Sequence, residues 1–218
     1  MTSDLRWRII TLQAVLVATL AFGAGFMFWA SGYVQSNVST QLKAQQIVFP
    51  KKGDPSITPA ALTPCATLAK GATCPIPTGP SVGQANSAAM TKYAGQTMTT
   101  GDQAQVWANS FIQVHLSDMG MTYAQASAKA LANPGNAQYQ TLADTIFKGE
   151  SLRGMLLNAY GWWSLGSYTA LAAIGAALGA VVVFFTLIYE ALLAYRSRTV
   201  PAPKAVVTPL PRHAEPAL

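Results

Sequence analysis

IITLQAVLVATLAFGAGFMFWASGY at Ile9–Tyr33 and YTALAAIGAALGAVVVFFTLIY at Tyr168–Tyr189 contain no charged side chain. Each is long enough to cross a hydrocarbon core of about 30 Å as a helix, which takes roughly 20 residues. A helix is required there because backbone N–H and C=O groups find no water in hydrocarbon and must pair within the segment. The uncharged stretches run further still, from Arg8 to Lys43 and from Arg153 to Glu190. At about 1.5 Å per residue, a helix through the first would be roughly 50 Å long, so both helices are expected to project beyond a bilayer as stalks. The fold class that follows is an all-α membrane protein: two transmembrane helices, a small helical extracytoplasmic domain and a Pro-rich, disulfide-closed loop.

Charge placement sets the expected orientation. Only 10% of the 218 residues are charged, and the formal net charge is +6. Arg6 and Arg8 precede the first span, and Arg196, Arg198, Lys204 and Arg212 follow the second, which by the positive-inside rule puts both ends in the cytoplasm. The expected organisation is then a cytoplasmic N-terminus at 1–8, a first span at 9–33, and an extracytoplasmic domain at 34–160. A second span with its interfacial ends follows at 161–195, then a disordered Pro-rich cytoplasmic tail at 196–218. The expected location is the plasma membrane. Basic residues split between two compartments form no dense patch, so nucleic acid is not an expected partner.

The first span is too long for a secretory h-region of about 7–15 residues, although Ala30 and Gly32 form a small-x-small pair. Phe26, Phe28, Trp29 and Tyr33, matched by Tyr160, Trp162, Trp163 and Tyr168, read as interfacial aromatic belts. Gly175-x-x-x-Gly179 is a small-xxx-small pair that permits close backbone approach. It suits packing of one span on the other, or docking onto another membrane protein. Gln13 reads as an interhelical hydrogen-bonding group.

Between the spans the composition changes. Seven of the thirteen prolines fall between Pro50 and Pro80, so residues 50–87 read as a loop and 99–160 as helical. Cys65 and Cys74 are the only cysteines and lie in that loop. In an oxidising compartment such a pair reads as a disulfide closing a small ring, with free thiols as the alternative. Thr100-x-x-Gln103 and Thr122-x-x-Gln125 fit capping boxes. A helix over Asp102–Met119 would turn Ala104, Trp107, Ala108, Phe111, Ile112, Val114 and Met119 to the core, with Gln105, Asn109, Gln113 and Ser117 opposite. Asn133-Pro134-Gly135 is the expected turn before a helix near Asn136–Lys148, in which Asp144 and Lys148 are spaced to pair.

His115 with Asp118 on that apolar face is the one chemically suggestive constellation. A carboxylate three residues on can orient an imidazole, and Met119 adds soft sulfur, a set that suits copper or haem iron. The alternative is a histidine satisfied by a backbone carbonyl and a methionine filling a gap. No G-x-S-x-G elbow, phosphate loop, H-E-x-x-H or dinucleotide fingerprint occurs, so neither an enzymatic activity nor a cofactor is expected. Asn37-Val38-Ser39 satisfies the glycosylation sequon.

The succession QIVFP (46–50), KYAGQ (92–96), TGDQA (100–104), His115-Leu116, TYAQ (122–125), Asn133-Pro134, ADTIF (143–147) and GESLRGMLLNAY (149–160) resembles a family of small actinobacterial two-span membrane proteins. The resemblance covers roughly Val34–Tyr160 and both flanking spans, and it implies topology and a bacterial origin. Members are often labelled aromatic ring-opening dioxygenase subunits. A ferrous extradiol site takes two His and one carboxylate, whereas this chain has only His115 and, in the opposite tail, His213.

The function expected on these grounds is non-enzymatic: an accessory subunit or envelope scaffold whose partners are the lipid bilayer and another integral membrane protein or larger membrane complex. An extracytoplasmic metal- or haem-handling protein centred on His115 is the second expectation. Glu150 and Arg153 mark the expected junction of the outer domain with the second membrane helix, because Arg153 is the last charge before the span.

Overall fold

In the computed structural model, residues 3–68 and 74–199 are described, with side chains from 5 to 196. Among the described residues the chain is helical, without a strand. Its elements are α1 (Ser3–Ala44), a 3-10 turn (Pro55–Ile57), α2 (Pro80–Lys92), α3 (Gly101–Val106), a π turn (Trp107–Ile112), α4 (Gln113–Ser117), α5 (Tyr123–Ala132) and α6 (Ala137–Thr199). Among the described residues the only pairing of extended backbone is a single antiparallel bridge between Val48 and Thr97. It is held by Phe49 N–H on Gln96 O at 2.9 Å and Met98 N–H on Ile47 O at 2.8 Å.

Two units are distinguished: one formed by the described parts of Met1–Gly23 and Gly175–Leu218, the other by Ala24–Ile174. In the first, the apolar side chains face outward. Leu12 is 70% exposed, Phe22 77% and Phe185 64%. Gly179 faces Leu20, whose Cδ1 would lie 3.7 Å from an added Cβ, while Gly175 has open space around it. The two glycines thus do not form one close seam within the chain: four residues on a helix advance about 400°, and small crossing differences take one of the pair off the contact. The oxygen Oε1 of Gln13, expected to hydrogen-bond between helices, is buried without a partner.

The second unit carries the core. Phe49, Leu62, Met90, Met98 and Ile146 are almost completely buried. Val38 and Leu42 of α1 and Leu156 of α6 join the same apolar cluster as Ala104, Ala108 and Ile112. Helix α1 continues without Pro or Gly from Tyr33 to Ala44 and stops where Gln46 turns left-handed (φ 53°). Helix α6 begins behind Asn136, whose Oδ1 accepts from the backbone of Gln138 and Tyr139. The helix expected near Asn136–Lys148 and the second stalk are therefore one element, since isolated glycines such as Gly149 and Gly154 cost a helix only about 1 kcal/mol each and do not break it.

Two expected boundaries change. The loop expected over 50–87 ends at Gly79, because Pro80 starts α2: proline at the first helical position has φ preset and lacks only an N–H that would be orphaned anyway. The 3-10 turn within it is capped by Asp54, whose Oδ1 accepts from Ser56 Oγ at 2.6 Å and Ser56 N at 2.9 Å. These bonds, the hydroxyl first, hold its carboxyl below the ordinary range. Of the tail expected over 196–218, residues 196–199, which include no Pro or Gly, belong to α6, which runs to Thr199; residues 200–218, and with them Lys204, Arg212 and His213, lie outside the described residues.

Both capping boxes form, at Thr100 with Gln103 and at Thr122 with Gln125. The single helix expected over Asp102–Met119 is interrupted by the π turn. One extra residue in a turn rotates everything after it by about 100° relative to an α-helix. Ser117, expected on the polar face, is consequently buried, and His115, expected on the apolar face, is exposed. Asp144 and Lys148 make no ion pair, consistent with the small net worth of an exposed pair in water.

Candidate functional site

Apart from the Gly175–Gly179 pair described above, the expected site residues fall in three places, all in the unit Ala24–Ile174. The first is the docking of the cysteine loop. Cys65 and Cys74 are joined by a disulfide, with Cα atoms 5.8 Å apart. Cys65 is left-handed (φ 60°), and its N–H donates to Ser117 Oγ at 3.0 Å, while that hydroxyl donates to Val114 O. The π turn that buries Ser117 is thus what offers the loop its anchor.

The second place surrounds His115. Its Nδ1 lies 2.8 Å from Phe111 O, and since a carbonyl oxygen can only accept, this nitrogen donates. The ring lies 4.4 Å from that of Phe111, centroid to centroid. Asp118 does not orient it: Oδ1 of Asp118 is buried and has no hydrogen-bond partner. Met119 packs partly buried against the apolar core. Among the described residues no three His, Cys, Asp or Glu side chains come together as a metal-binding group. The backbone-satisfied histidine is the arrangement present.

The third place is Arg153, the residue expected at the junction. Its Nη2 donates to Asn109 Oδ1 in the π turn at 3.3 Å, and its Nη1 lies 3.5 Å from Glu150 Oε2. The guanidinium therefore ties α6 to the π turn. Glu150 is half exposed, so the ion pair contributes no more than about 1 kcal/mol.

A fourth place was not among the expected sites. Along Tyr33–Gln45 of α1 and Leu152–Trp162 of α6 runs an open cavity of about 510 Å³, within the usual range for ligand sites. Its floor is apolar: Val34, Val38 and Leu42 from α1, and Leu152, Met155, Leu156 and Ala159 from α6. Along its rim stand the carboxamides of Asn37, Gln41, Gln45 and Asn158, and Tyr33 and Trp162 close one end. No charged residue lines it. Just past the Trp162 end the helices are pinned together. Gln35 Nε2 donates to Ser167 Oγ at 3.4 Å, and Gly166 leaves room for the Gln35 side chain, which would come within 3.2 Å of an added Cβ.

The signal for this cavity was present in the sequence as a spacing of four. Val34, Val38 and Leu42 repeat beside Asn37, Gln41 and Gln45, two adjacent stripes on one helix. Compared with family models, with curated proteins and with solved structures, the chain finds no match in any of the three.

Proposed function

We propose that this protein is a two-pass integral membrane protein of the plasma membrane, with both ends cytoplasmic and the residues between the spans extracytoplasmic. On this reading it acts without catalysis, as an accessory subunit or envelope scaffold that presents its helical domain to a membrane-protein partner. The observation that carries the reading is the exposure of its two apolar helices. Leu5–Ala44 and Ala137–Arg196 are long and apolar enough to span, and in their most apolar 18 residues only 6% and 11% are buried within the chain. A core helix of a water-soluble protein would be mostly buried. Burial of a Leu, Val or Phe side chain is worth roughly 1.5–3 kcal/mol, and hydrocarbon supplies that burial where the chain itself does not. The disulfide accords with an oxidising compartment for the domain between the helices. The resemblance to small actinobacterial two-span proteins points the same way.

The accessory role is supported by what the domain offers a partner: a disulfide-anchored loop and two helices closed by capping boxes. Detergent solubilisation from the native membrane, followed by affinity capture of the tagged chain, tests it. A reproducible complex with a fixed ratio of one other membrane protein is the expected result. Recovery only as free chain carrying a bound metal or haem would overturn this role in favour of the His115 reading.

A further inference from the structure

We infer that the cavity between Tyr33–Gln45 and Leu152–Trp162 binds a lipid whose headgroup is uncharged and rich in hydroxyls, drawn up headgroup-first from the bilayer surface. The inference rests on the membrane reading above and adds a ligand class to it. Three features of the cavity select that class.

The first is its length and floor. The twelve helical steps from Tyr33 to Gln45 rise about 18 Å, and Val34, Val38 and Leu42 make the α1 side of the floor apolar throughout. An apolar slot of that length, starting at the level of the aromatic belt, suits a hydrocarbon chain lifted part of the way out of the membrane. Trp and Tyr sit where lipid headgroups lie, so Tyr33 and Trp162 place the entrance at the source of such a ligand.

The second is the chemistry of the rim. Asn37, Gln41, Gln45 and Asn158 each carry an amide that both donates and accepts. None of these four side chains hydrogen-bonds within the chain among the described residues. A hydroxyl is the group that also donates and accepts, so a polyhydroxyl headgroup answers such a rim at every step. The third feature is the absence of any Lys, Arg or His from the lining. Phosphate binding is dominated by charge-assisted hydrogen bonds from cationic side chains, and nothing here supplies one. An anionic phospholipid would leave its charge unanswered.

The test uses the full-length chain in nanodiscs of phosphatidylcholine and a photoreactive, short-chain glucosyl diacylglycerol. The expected result is saturable labelling of peptides from 33–45 and 152–162. Unlabelled short-chain glucosyl diacylglycerol should displace the label, whereas free glucose and short-chain phosphatidylglycerol at equal concentration should not. The double variant Gln41→Leu/Asn158→Leu keeps side-chain bulk at two exposed positions and should weaken binding about tenfold or more, since each lost hydrogen bond counts for a few-fold. Met155→Trp adds bulk at a 70% exposed position of the floor and should abolish labelling of the cavity.

Equal displacement by phosphatidylglycerol would overturn the inference, as would undiminished labelling of both variants or label confined to 9–28 and 168–189. Competition by a membrane-partner peptide but not by glycolipid would assign the cavity to protein docking instead. A membrane-embedded chain without saturable labelling sinks this inference alone. A chain recovered in the soluble fraction sinks the membrane reading, and this inference with it.

Discussion

Gly101→Ala is expected to lower the melting temperature of the detergent-solubilised protein by roughly 6–12 °C. The added Cβ would lie 2.2 Å from Trp163 Cβ, 2.6 Å from Trp163 Cγ and 3.0 Å from Tyr160 Cα. These atoms belong to the root of a side chain and to the backbone of α6, so no rotamer change relieves the contact. Overpacking costs about 1–3 kcal/mol, occasionally more, and this geometry belongs at the upper end. At about 2–4 °C per kcal/mol for a chain of this size, the shift follows. Gly154→Ala is the matched control: nothing lies within 4 Å of its added Cβ, and it sits inside α6. There alanine gains up to about 1 kcal/mol in helix propensity, so the melting temperature should hold or rise. Equal losses in the two variants would mean that Gly101 is not the close-packing point between α3 and α6.

Phe49→Ala is expected to cost about 3–5 kcal/mol, the range for truncating a buried phenylalanine. Phe49 is 1% exposed and lies edge-on to Trp107 at 5.1 Å, with Tyr93 at 5.5 Å. Its backbone also joins the Ile47–Phe49 and Gln96–Met98 segments, so the ring fills the place where α1, α2 and the π turn meet the paired extended backbone. Limited trypsin digestion at native conditions measures the loss. If reclosing outpaces cleavage, cutting tracks the open population, and a loss of about 3 kcal/mol raises the rate on the order of 10²-fold. Cleavage at Lys51, Lys52 and Lys92 should accelerate together. A rate within a few-fold of wild type would place the centre of this core elsewhere.

The elements most legible in the sequence were those set by local chemistry. Two uncharged apolar runs became α1 and α6, because their length and lack of breakers leave the backbone no better way to pair. Thr100 and Thr122 capped the helices expected of them, and Cys65 reached Cys74. Less legible was everything that depends on phase. The π turn at Trp107–Ile112 has no residue that announces it, yet it turned Ser117 inward and His115 outward and so dissolved the His115–Asp118 pairing. Gly175 and Gly179 show the same limit in another form: a small-residue spacing states what approach is permitted, and the partner helix decides whether it occurs. For the cavity, the stripes of Val34, Val38 and Leu42 beside Asn37, Gln41 and Gln45 were readable on α1. The opposing wall was not, because placing Met155 and Asn158 across from them requires the crossing of two helices distant in sequence.

The two-pass reading is tested most directly by where the chain's segments lie. Reporter fusions of one series, one joined after Thr100 and one after Pro211, read the side of each point in living cells. The account predicts that the Thr100 fusion is active only as an extracytoplasmic reporter and the Pro211 fusion only as a cytoplasmic one. Both points reporting the same side, or both fusions recovered in the soluble fraction, would contradict it.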